Sequence, residues 1–316
     1  MNSQFTFQVN ISPGDDKYAA INVRELAKYH LHIPSRLLVV DCCKPQKTKL
    51  VDPVKRFPEP AFSKRVENMC LLAEQLKNEG LFTDVYFIRP GDKLLKELAK
   101  KYLNNIVHTT HGAGGTAQMS YWAAIELVNT RYVLHYDGDM FFYQEGGYEW
   151  WQEAAAIMGK DEHYLFAAPR FAAPTPLAGD MPGLYKSKMI TVKEGYWEHK
   201  WFSTRLFLTD KEKLGKELPL VKGKLMMELL LRKLPFRAFP LDPEIIIFKR
   251  LCLAKHYRRI ILQSKKAWSM HPLDKSGPFI NMVPGMWDAV KQNKYPEGQG
   301  GWEDIVTEAW ENYLKK

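Results

Sequence analysis

The sequence predicts an α/β fold with a mainly parallel central sheet flanked by helices. Strand and helix patterns alternate along the first hundred residues, an order typical of parallel sheets with right-handed crossovers. Several strand candidates, such as residues 37–40, are continuous apolar runs. Runs of this kind indicate strands that are covered on both faces.

Size and composition favour a globular protein. The 316 residues are long enough for a substantial core, and 46% are hydrophobic and 26% charged. No apolar run approaches the roughly 20 residues that cross a bilayer, and the N-terminus lacks the pattern of a secretory signal. We therefore expect a cytoplasmic protein, with a peripheral membrane contact as an open possibility. The four cysteines fit neither a zinc spacing nor a disulfide framework and are predicted to be reduced core thiols.

The elements of the first hundred residues follow from apolar spacing and turn residues. Strands are expected at 5–11, 37–40 and 85–88, and the first ends in a turn at 12–15. Helices are expected at 21–29, from a Ser63 cap to Gly80, and from an Asp92 cap to Tyr102. An irregular, proline-bearing loop is expected at 45–60.

The next elements lead to the main functional motif. The glycine-rich residues 111–115 are predicted to open a buried helix that reaches residue 128, and a strand follows at 132–136. An aromatic helix is expected around residue 150 and a strand at 165–168. Beyond the proline-rich residues 169–182 the regular alternation weakens.

The apolar strand runs into Asp137-Gly138-Asp139. Positions two apart in an extended segment point to the same side, so both carboxylates should project together, and Gly138 should leave room for a ligand near the backbone. Two carboxylates suit Mg²⁺ or Mn²⁺ carrying a diphosphate. The tripeptide is also found in ordinary turns, but its position after a buried strand favours a ligand site.

With these features the chain resembles the GT-A class of nucleotide-sugar glycosyltransferases, most closely the family-2 type, over roughly residues 5–275. The strand that ends in Asp41 is similar to the family strand whose terminal acid contacts the nucleotide. The segment from Gly112 to Asp139 is similar to the donor-side helix, strand and DxD motif. His271 is placed like the histidine that completes the metal site in metal-dependent members.

The resemblance implies a metal-dependent glycosyltransferase of the hexosyltransferase type. It would move a sugar from a nucleotide diphosphate sugar to a hydroxyl of a glycan, polysaccharide or lipid-linked acceptor, with inversion, although a retaining outcome stays open. It implies Asp41, Asp137 and Asp139 as donor-binding residues. It implies Asp137, Asp139 and His271 as ligands of Mn²⁺ or Mg²⁺.

The same resemblance implies one GT-A-like domain over residues 1–316. Residues 5–145 would form a Rossmann-like half that binds the nucleotide sugar. Residues 146–275 would form a less regular acceptor-side half, and residues 276–316 a C-terminal extension with a helix.

The general base is not where the resemblance would place it. The segment from Glu228 to Arg232 is similar to the family's helical stretch, but the two acids expected before it fall on Leu225 and Met226. Glu228 is therefore the predicted base, with a solvated helix residue as the alternative. Asp180 and Asp210 are the other candidates.

Three further groups of residues leave their roles open. Seven cations and no carboxylate lie in the basic stretch Lys249 to Lys266, which suits a solvated face or a contact with phosphate, nucleic acid or an anionic membrane. An aromatic group is either an acceptor platform or core; its members are Tyr196, Trp197, Trp201 and Phe202. The pair His108 and His111 favours a loop role over zinc.

Two rival functions receive less support. A sugar-phosphate nucleotidyltransferase would place a glycine-rich phosphate loop after the first strand, where residues 12–16 are poor in glycine and acidic. A non-catalytic nucleic-acid-binding protein would use the basic stretch, but no nucleic-acid-binding motif accompanies it.

Overall fold

A computed structural model of the chain describes residues 2–175, 189–234, 238–275 and 277–315. The described strands are β1 Phe5–Ile11, β2 Ser35–Asp41, β3 Asp84–Ile88, β4 Tyr132–Asp137, β5 Phe141–Gln144, β6 Tyr164–Ala168, β7 Ile190–Lys193, β8 Tyr196–His199, β9 Leu206–Asp210, β10 Arg258–Leu262 and β11 Ala267–Met270. The described helices are α1 Ala19–Lys28, α2 Pro53–Arg56, α3 Ala61–Asn78, α4 Lys93–Leu103, α5 Met119–Glu126, α6 Trp150–Met158, α7 Lys211–Lys216, α8 Lys224–Arg232, α9 Pro243–Ile247, α10 Gly277–Val290 and α11 Thr307–Leu314.

Nine strands form a mixed, largely parallel sheet in the order β3-β2-β1-β4-β9-β6-β10-β8-β7. The first four strands are parallel to one another, and β6 and β10 are parallel neighbours. Strand β9 lies antiparallel between β4 and β6, and β8 is antiparallel to both of its neighbours. Strands β5 and β11 form a separate antiparallel pair. The predicted α/β fold class with a mainly parallel sheet is confirmed.

Strand β2 explains why the parallel strands read as continuous apolar runs. Leu38 and Val40 pack into a core that includes residues of α1 and α3. Leu37 and Val39 pack on the opposite face with residues of α4 and α5. Residues 37–40 are therefore all apolar, and the strand ends after them at Asp41, at the edge of the sheet.

Two predicted helix starts differ from the structure. Helix α3 begins at Ala61, and the Ser63 hydroxyl donates to Glu59 Oε2 at 2.7 Å instead of capping the helix. Helix α5 begins at Met119, because residues 111–118 form a loop closed by a bridge between His111 and Ala117. Asp92 does cap α4 by accepting from the Leu94 N–H at 2.9 Å.

Helix α10, in the predicted C-terminal extension, packs beside the first helix of the chain. Its Trp287 indole donates to Asn22 Oδ1 of α1 at 2.7 Å, and its ring stacks on Phe141 of β5. This packing holds the segment just before α10 beside the loop that follows β1.

All four cysteines lie among the described residues and are free; three are buried and Cys70 is half-buried. None of the helices that the structure describes has the length and apolar character needed to cross a membrane.

Candidate active site

A cleft lies at the carboxyl ends of β1, β2 and β4. It consists of two adjoining cavities of about 220 and 340 Å³, which share Ser12, Asp15, Ala117 and Lys275 in their walls. The smaller cavity is lined by the three aspartates and the histidine that were predicted to bind the donor or its metal: Asp41, Asp137, Asp139 and His271. The structure therefore brings these four residues together.

Asp137, the last residue of β4, is held by a tyrosine. The hydroxyl of Tyr121, on helix α5, lies 2.9 Å from both carboxylate oxygens, and His135 Nε2 lies 3.2 Å from Oδ1. Burial and the neighbouring charge of Asp139 raise the pKa of Asp137 well above its usual value. Both carboxylate oxygens of Asp137 thus lie within hydrogen-bond distance of protein groups.

Asp139 lies in the turn after β4 rather than in an extended segment as predicted, yet it lines the same cavity as Asp137. Its Oδ2 lies 2.5 Å from Lys275 Nζ and 3.3 Å from His271 Nε2. Its Oδ1 is buried and has no hydrogen-bond partner among the residues that the structure describes. Burial alone would raise the pKa of Asp139, but the charges of Lys275 and His271 outweigh it and hold that pKa well below its usual value.

Gly138 is required by packing against β1. A Cβ on Gly138 would lie 2.6 Å from Ile11 Cγ2 and 3.0 Å from the Asn10 carbonyl oxygen. The Gly138 N–H donates to that same carbonyl at 2.8 Å. Gly138 also lines the smaller cavity, and the approach of a ligand to its backbone stays a prediction.

Asp41, the last residue of β2, offers a second unsatisfied acceptor. Its Oδ1 accepts from the Cys43 N–H at 2.9 Å, whereas its Oδ2 is buried and finds no hydrogen-bond partner in the described part of the chain. His111 Nε2, at 3.9 Å, is too far for a hydrogen bond. Burial raises the pKa of Asp41 to about 7 and lowers that of His111 to about 4.

Lys275 and Asp15 were not predicted from the sequence. Lys275 Nζ lies 3.8 Å from Asp15 Oδ1 and 5.8 Å from the centre of the Tyr18 ring. Asp15 closes a capping box with Ser12, whose N–H donates to Asp15 Oδ2 at 2.8 Å, and it also accepts from the Tyr18 hydroxyl. The serine-to-acid spacing of three is a sequence signal for this turn. Nothing in the local sequence marks Lys275.

The C-terminal extension also reaches the site. The His271 N–H donates to the Glu303 carbonyl at 3.0 Å, and the Ile305 N–H donates to the His271 carbonyl at 2.9 Å. The side chains of Glu303 and Asp304 pair with Arg205 at 3.3 and 3.0 Å. The extension therefore positions His271 as well as covering α1.

The predicted metal ligands do not form a preformed centre. In the part of the chain that the structure describes, no three or more His, Cys, Asp or Glu side chains are grouped so as to hold a metal ion. The Tyr121 hydroxyl donates a hydrogen bond to Asp137. Lys275 Nζ contacts the same Asp139 oxygen that faces His271. The residues present do not fit a three-ligand metal site, and the metal role stays a prediction.

The two predicted bases that the structure describes, Glu228 and Asp210, lie away from the cleft. Glu228 pairs with Lys249 at 2.7 Å and Arg232 at 2.9 Å and lines a different cavity. Asp210 pairs with Arg131 and lies opposite Tyr132 at the other end of β4, about 17 Å along the strand from Asp137. Asp180 lies outside the described residues.

The basic stretch is not one continuous face. Arg259 is buried, donates to the Leu206 carbonyl at 2.9 Å and lies over the Phe171 ring. Arg258 donates to the Tyr257 carbonyl at 2.9 Å. These arginines are parts of the fold rather than a free cationic surface.

The aromatic group divides in a similar way. Trp197 and Phe202 are buried, whereas Tyr196 and Trp201 are half-buried. The core interpretation holds for the two buried members.

No protein-family model matches the chain, and no curated protein matches it either. Among solved structures it is similar to TarS 1-349 of S. aureus in complex with UDP-GlcNAc, with 12% identity and a TM-score of 0.39 over 84% of this chain. The chain spans 58% of that structure and 64% of a second TarS structure.

Two further similarities cover most of the chain. The galactosyltransferase LgtC in complex with donor and acceptor sugar analogs has 10% identity and a TM-score of 0.37, with 90% of this chain and 96% of that one covered. GalNAc-T7 with UDP, GalNAc and Mn²⁺ has 10% identity and a TM-score of 0.41, with 90% and 49% covered.

Proposed function

We propose that the protein is a glycosyltransferase that moves a sugar from a nucleotide diphosphate sugar to an acceptor hydroxyl. The observation that carries this proposal is the composition of the cleft. Unpaired carboxylate oxygens and a lysine ammonium lie together at the carboxyl ends of neighbouring parallel strands.

The unpaired oxygens favour a ligand with several hydrogen-bond donors. Asp41 Oδ2 and Asp139 Oδ1 are buried without partners, although buried acceptors are nearly always paired in folded proteins. Sugar hydroxyls and the N–H groups of a nucleobase are donors of the required kind. Asp41 and Asp139 are the proposed partners of those groups.

The cations in the same cleft favour an anionic ligand. Lys275 lines both cavities, and Arg56 lines the larger one. In a bound nucleotide sugar, the diphosphate would contact these cations. The sugar and the base would donate hydrogen bonds to the carboxylates. A nucleotide sugar combines both kinds of group in one molecule.

In the proposed reaction, the bond between the anomeric carbon and the diphosphate oxygen breaks, and its electron pair stays on that oxygen. The acceptor oxygen forms the new bond to the anomeric carbon and releases its proton to a base or to solvent. The leaving nucleoside diphosphate gains one negative charge, so a nearby cation stabilises the transition state. Glu228, the base predicted from the sequence, lines a different cavity, so the proton transfer is not assigned to it.

The proposal also includes a class of acceptor and a divalent metal. A glycan, polysaccharide or lipid-linked hydroxyl is the proposed acceptor class. The resemblance implies Mn²⁺ or Mg²⁺, with Asp137, Asp139 and His271 as ligands. Because the contacts of these residues do not favour a metal centre, no step is assigned to one.

A thermal-shift screen of UDP, GDP, UDP-sugars and GDP-sugars, each with and without Mn²⁺, tests the proposal. A donor at about 100 times its Kd stabilises the folded protein by about 2.7 kcal/mol, which corresponds to a rise in Tm of roughly 4 °C for a chain of 316 residues. The free sugars and the nucleoside monophosphates are the controls. A screen in which no diphosphate nucleotide or nucleotide sugar raises Tm would contradict the proposed function.

A further inference from the structure

We propose that Lys275 binds the donor's diphosphate directly and takes the place that the resemblance gives to a divalent metal. This inference rests on the proposed function and deepens it, because it names the group that neutralises the leaving nucleoside diphosphate.

The position of Lys275 supports this role. Its ammonium lies 2.5 Å from Asp139 Oδ2, on the carboxylate that the DxD motif would offer to a metal. A divalent ion bound to the same oxygen at about 2.1 Å would lie close to the ammonium, and the two positive charges would repel each other. Lys275 and a metal are therefore alternative partners of Asp139 Oδ2.

The ammonium also has bonding capacity left for a ligand. Lysine carries three N–H donors. Asp139 accepts at 2.5 Å, while Asp15, at 3.8 Å, lies beyond hydrogen-bond distance. The side chain is 39% exposed and lines both cavities of the cleft, so its remaining donors are accessible to a phosphate oxygen.

The surroundings fix the ammonium in place. Asp139, Asp15 and the Tyr18 ring face it from two separate loops. Such contacts orient a long, flexible side chain before the ligand arrives, which reduces the entropy cost of binding.

The experiment titrates UDP and GDP calorimetrically into the full chain, once with excess EDTA and once with Mn²⁺. We expect the wild type to bind at least one of them in EDTA, within about threefold of its affinity in Mn²⁺. Lys275→Met should weaken binding in EDTA by about 10- to 100-fold, because a hydrogen bond to a charged group is lost. Lys275→Arg, which keeps the charge, should recover part of the affinity.

Lys291→Met is the matched control. Lys291 has nearly the same exposure, 40%, and pairs with Asp288 at 3.2 Å and Glu25 at 3.6 Å, but it does not line the cleft. This variant should bind as the wild type does. Thermal melting of each variant confirms that it is folded.

A second measurement follows Mn²⁺ itself by electron paramagnetic resonance, without nucleotide. We expect no stoichiometric binding in the wild type and a gain of binding in Lys275→Met, whose Asp139 has lost its cation. Stoichiometric Mn²⁺ binding in the wild type that Lys275→Met leaves unchanged would overturn the inference.

The failures of the two proposals are distinguishable. Nucleotide binding that requires Mn²⁺ and is insensitive to Lys275→Met would overturn the role of Lys275 and leave the glycosyltransferase proposal standing. Absence of any diphosphate nucleotide binding under either condition would overturn the proposed function, and the inference with it.

Discussion

Two lysine–carboxylate pairs in this molecule have almost the same geometry and very different surroundings. Lys275 and Asp139 are 2.5 Å apart in the cleft, where the Asp139 side chain is 5% exposed. Lys249 and Glu228 are 2.7 Å apart beside α8, where the side chains are 35% and 30% exposed. The two lysines are similarly exposed, 39% and 35%, so the pairs differ chiefly in the burial of the carboxylate.

The difference shows why proximity alone is a poor sign of function. An exposed ion pair contributes at most about 1 kcal/mol, because water screens its charges. A buried pair loses hydration that its mutual attraction barely repays, so its presence needs another explanation. Glu228 also has Arg232 as a partner, whereas Asp139 keeps a buried oxygen to which no described residue donates a hydrogen bond. The pair with the buried carboxylate is therefore the better candidate for ligand binding.

The largest effect is expected for Asp139→Asn. The change removes the negative charge that pairs with Lys275 and is proposed to accept hydrogen bonds from the sugar. We expect the rate of donor hydrolysis or transfer, measured as nucleotide release, to fall by about 10³- to 10⁴-fold, or about 4–5 kcal/mol. A variant that melts normally and retains more than a tenth of wild-type activity would show that the buried pair is structural.

Asp41 is also a buried carboxylate, and its ion-pair contact among the described residues is with His111, at 3.9 Å. Its pKa of about 7 lies above that of an ordinary aspartate, so the folded state holds this proton more tightly than the unfolded state does. The wild type therefore loses stability as pH rises from about 4 to 7, whereas Asp41→Asn does not. Denaturant unfolding should find the variant more stable by about 4 kcal/mol at pH 8 and by less than about 1 kcal/mol at pH 4. Equal differences at both pH values would contradict the raised pKa.

A smaller effect is expected for Gly138→Ala, which tests the packing that holds the acidic turn. The new methyl group would meet Ile11 Cγ2 and the Asn10 carbonyl. Because Ile11 can move and the carbonyl cannot, we expect a loss of about 1–3 kcal/mol in denaturant unfolding. Gly146→Ala, where a Cβ meets nothing within 4 Å, is the control. Equal costs at the two glycines would show that β1 does not constrain the turn.

The smallest effect is expected for Glu228→Gln. Its carboxylate lies outside the cleft, and although burial opposes the shift, Lys249 and Arg232 lower its pKa, which makes it a weak base. We expect a change in unfolding free energy below about 1 kcal/mol and a change in turnover below twofold. A large fall in turnover with unchanged donor affinity would instead support the role as base predicted from the sequence.

The sequence predicted those parts of the fold and site that depend on local patterns. Residues 37–40 and 132–136 are mostly apolar because both faces of their strands are covered, and Asp41 and Asp137 mark where those strands end at the cleft. The carboxyl ends of parallel strands lie at one edge, so their convergence could be inferred.

What could not be predicted depends on contacts between distant segments. The pairing of Lys275 with Asp139 spans more than a hundred residues, and the packing of Gly138 against β1 spans a similar distance. No local pattern encodes either contact. Glu228 was inferred from its position relative to a motif, and position along a helix does not specify which cavity a side chain enters.

The long separation within the buried pair has a consequence for synthesis of the chain. At about 5–20 residues per second, the ribosome adds Lys275 roughly 7–27 seconds after Asp139. During that interval Asp15 and Asp139 lack the Lys275 ammonium that faces them in the folded chain. The carboxylates of the cleft therefore gain this compensating charge only after every strand that the structure describes has been synthesised.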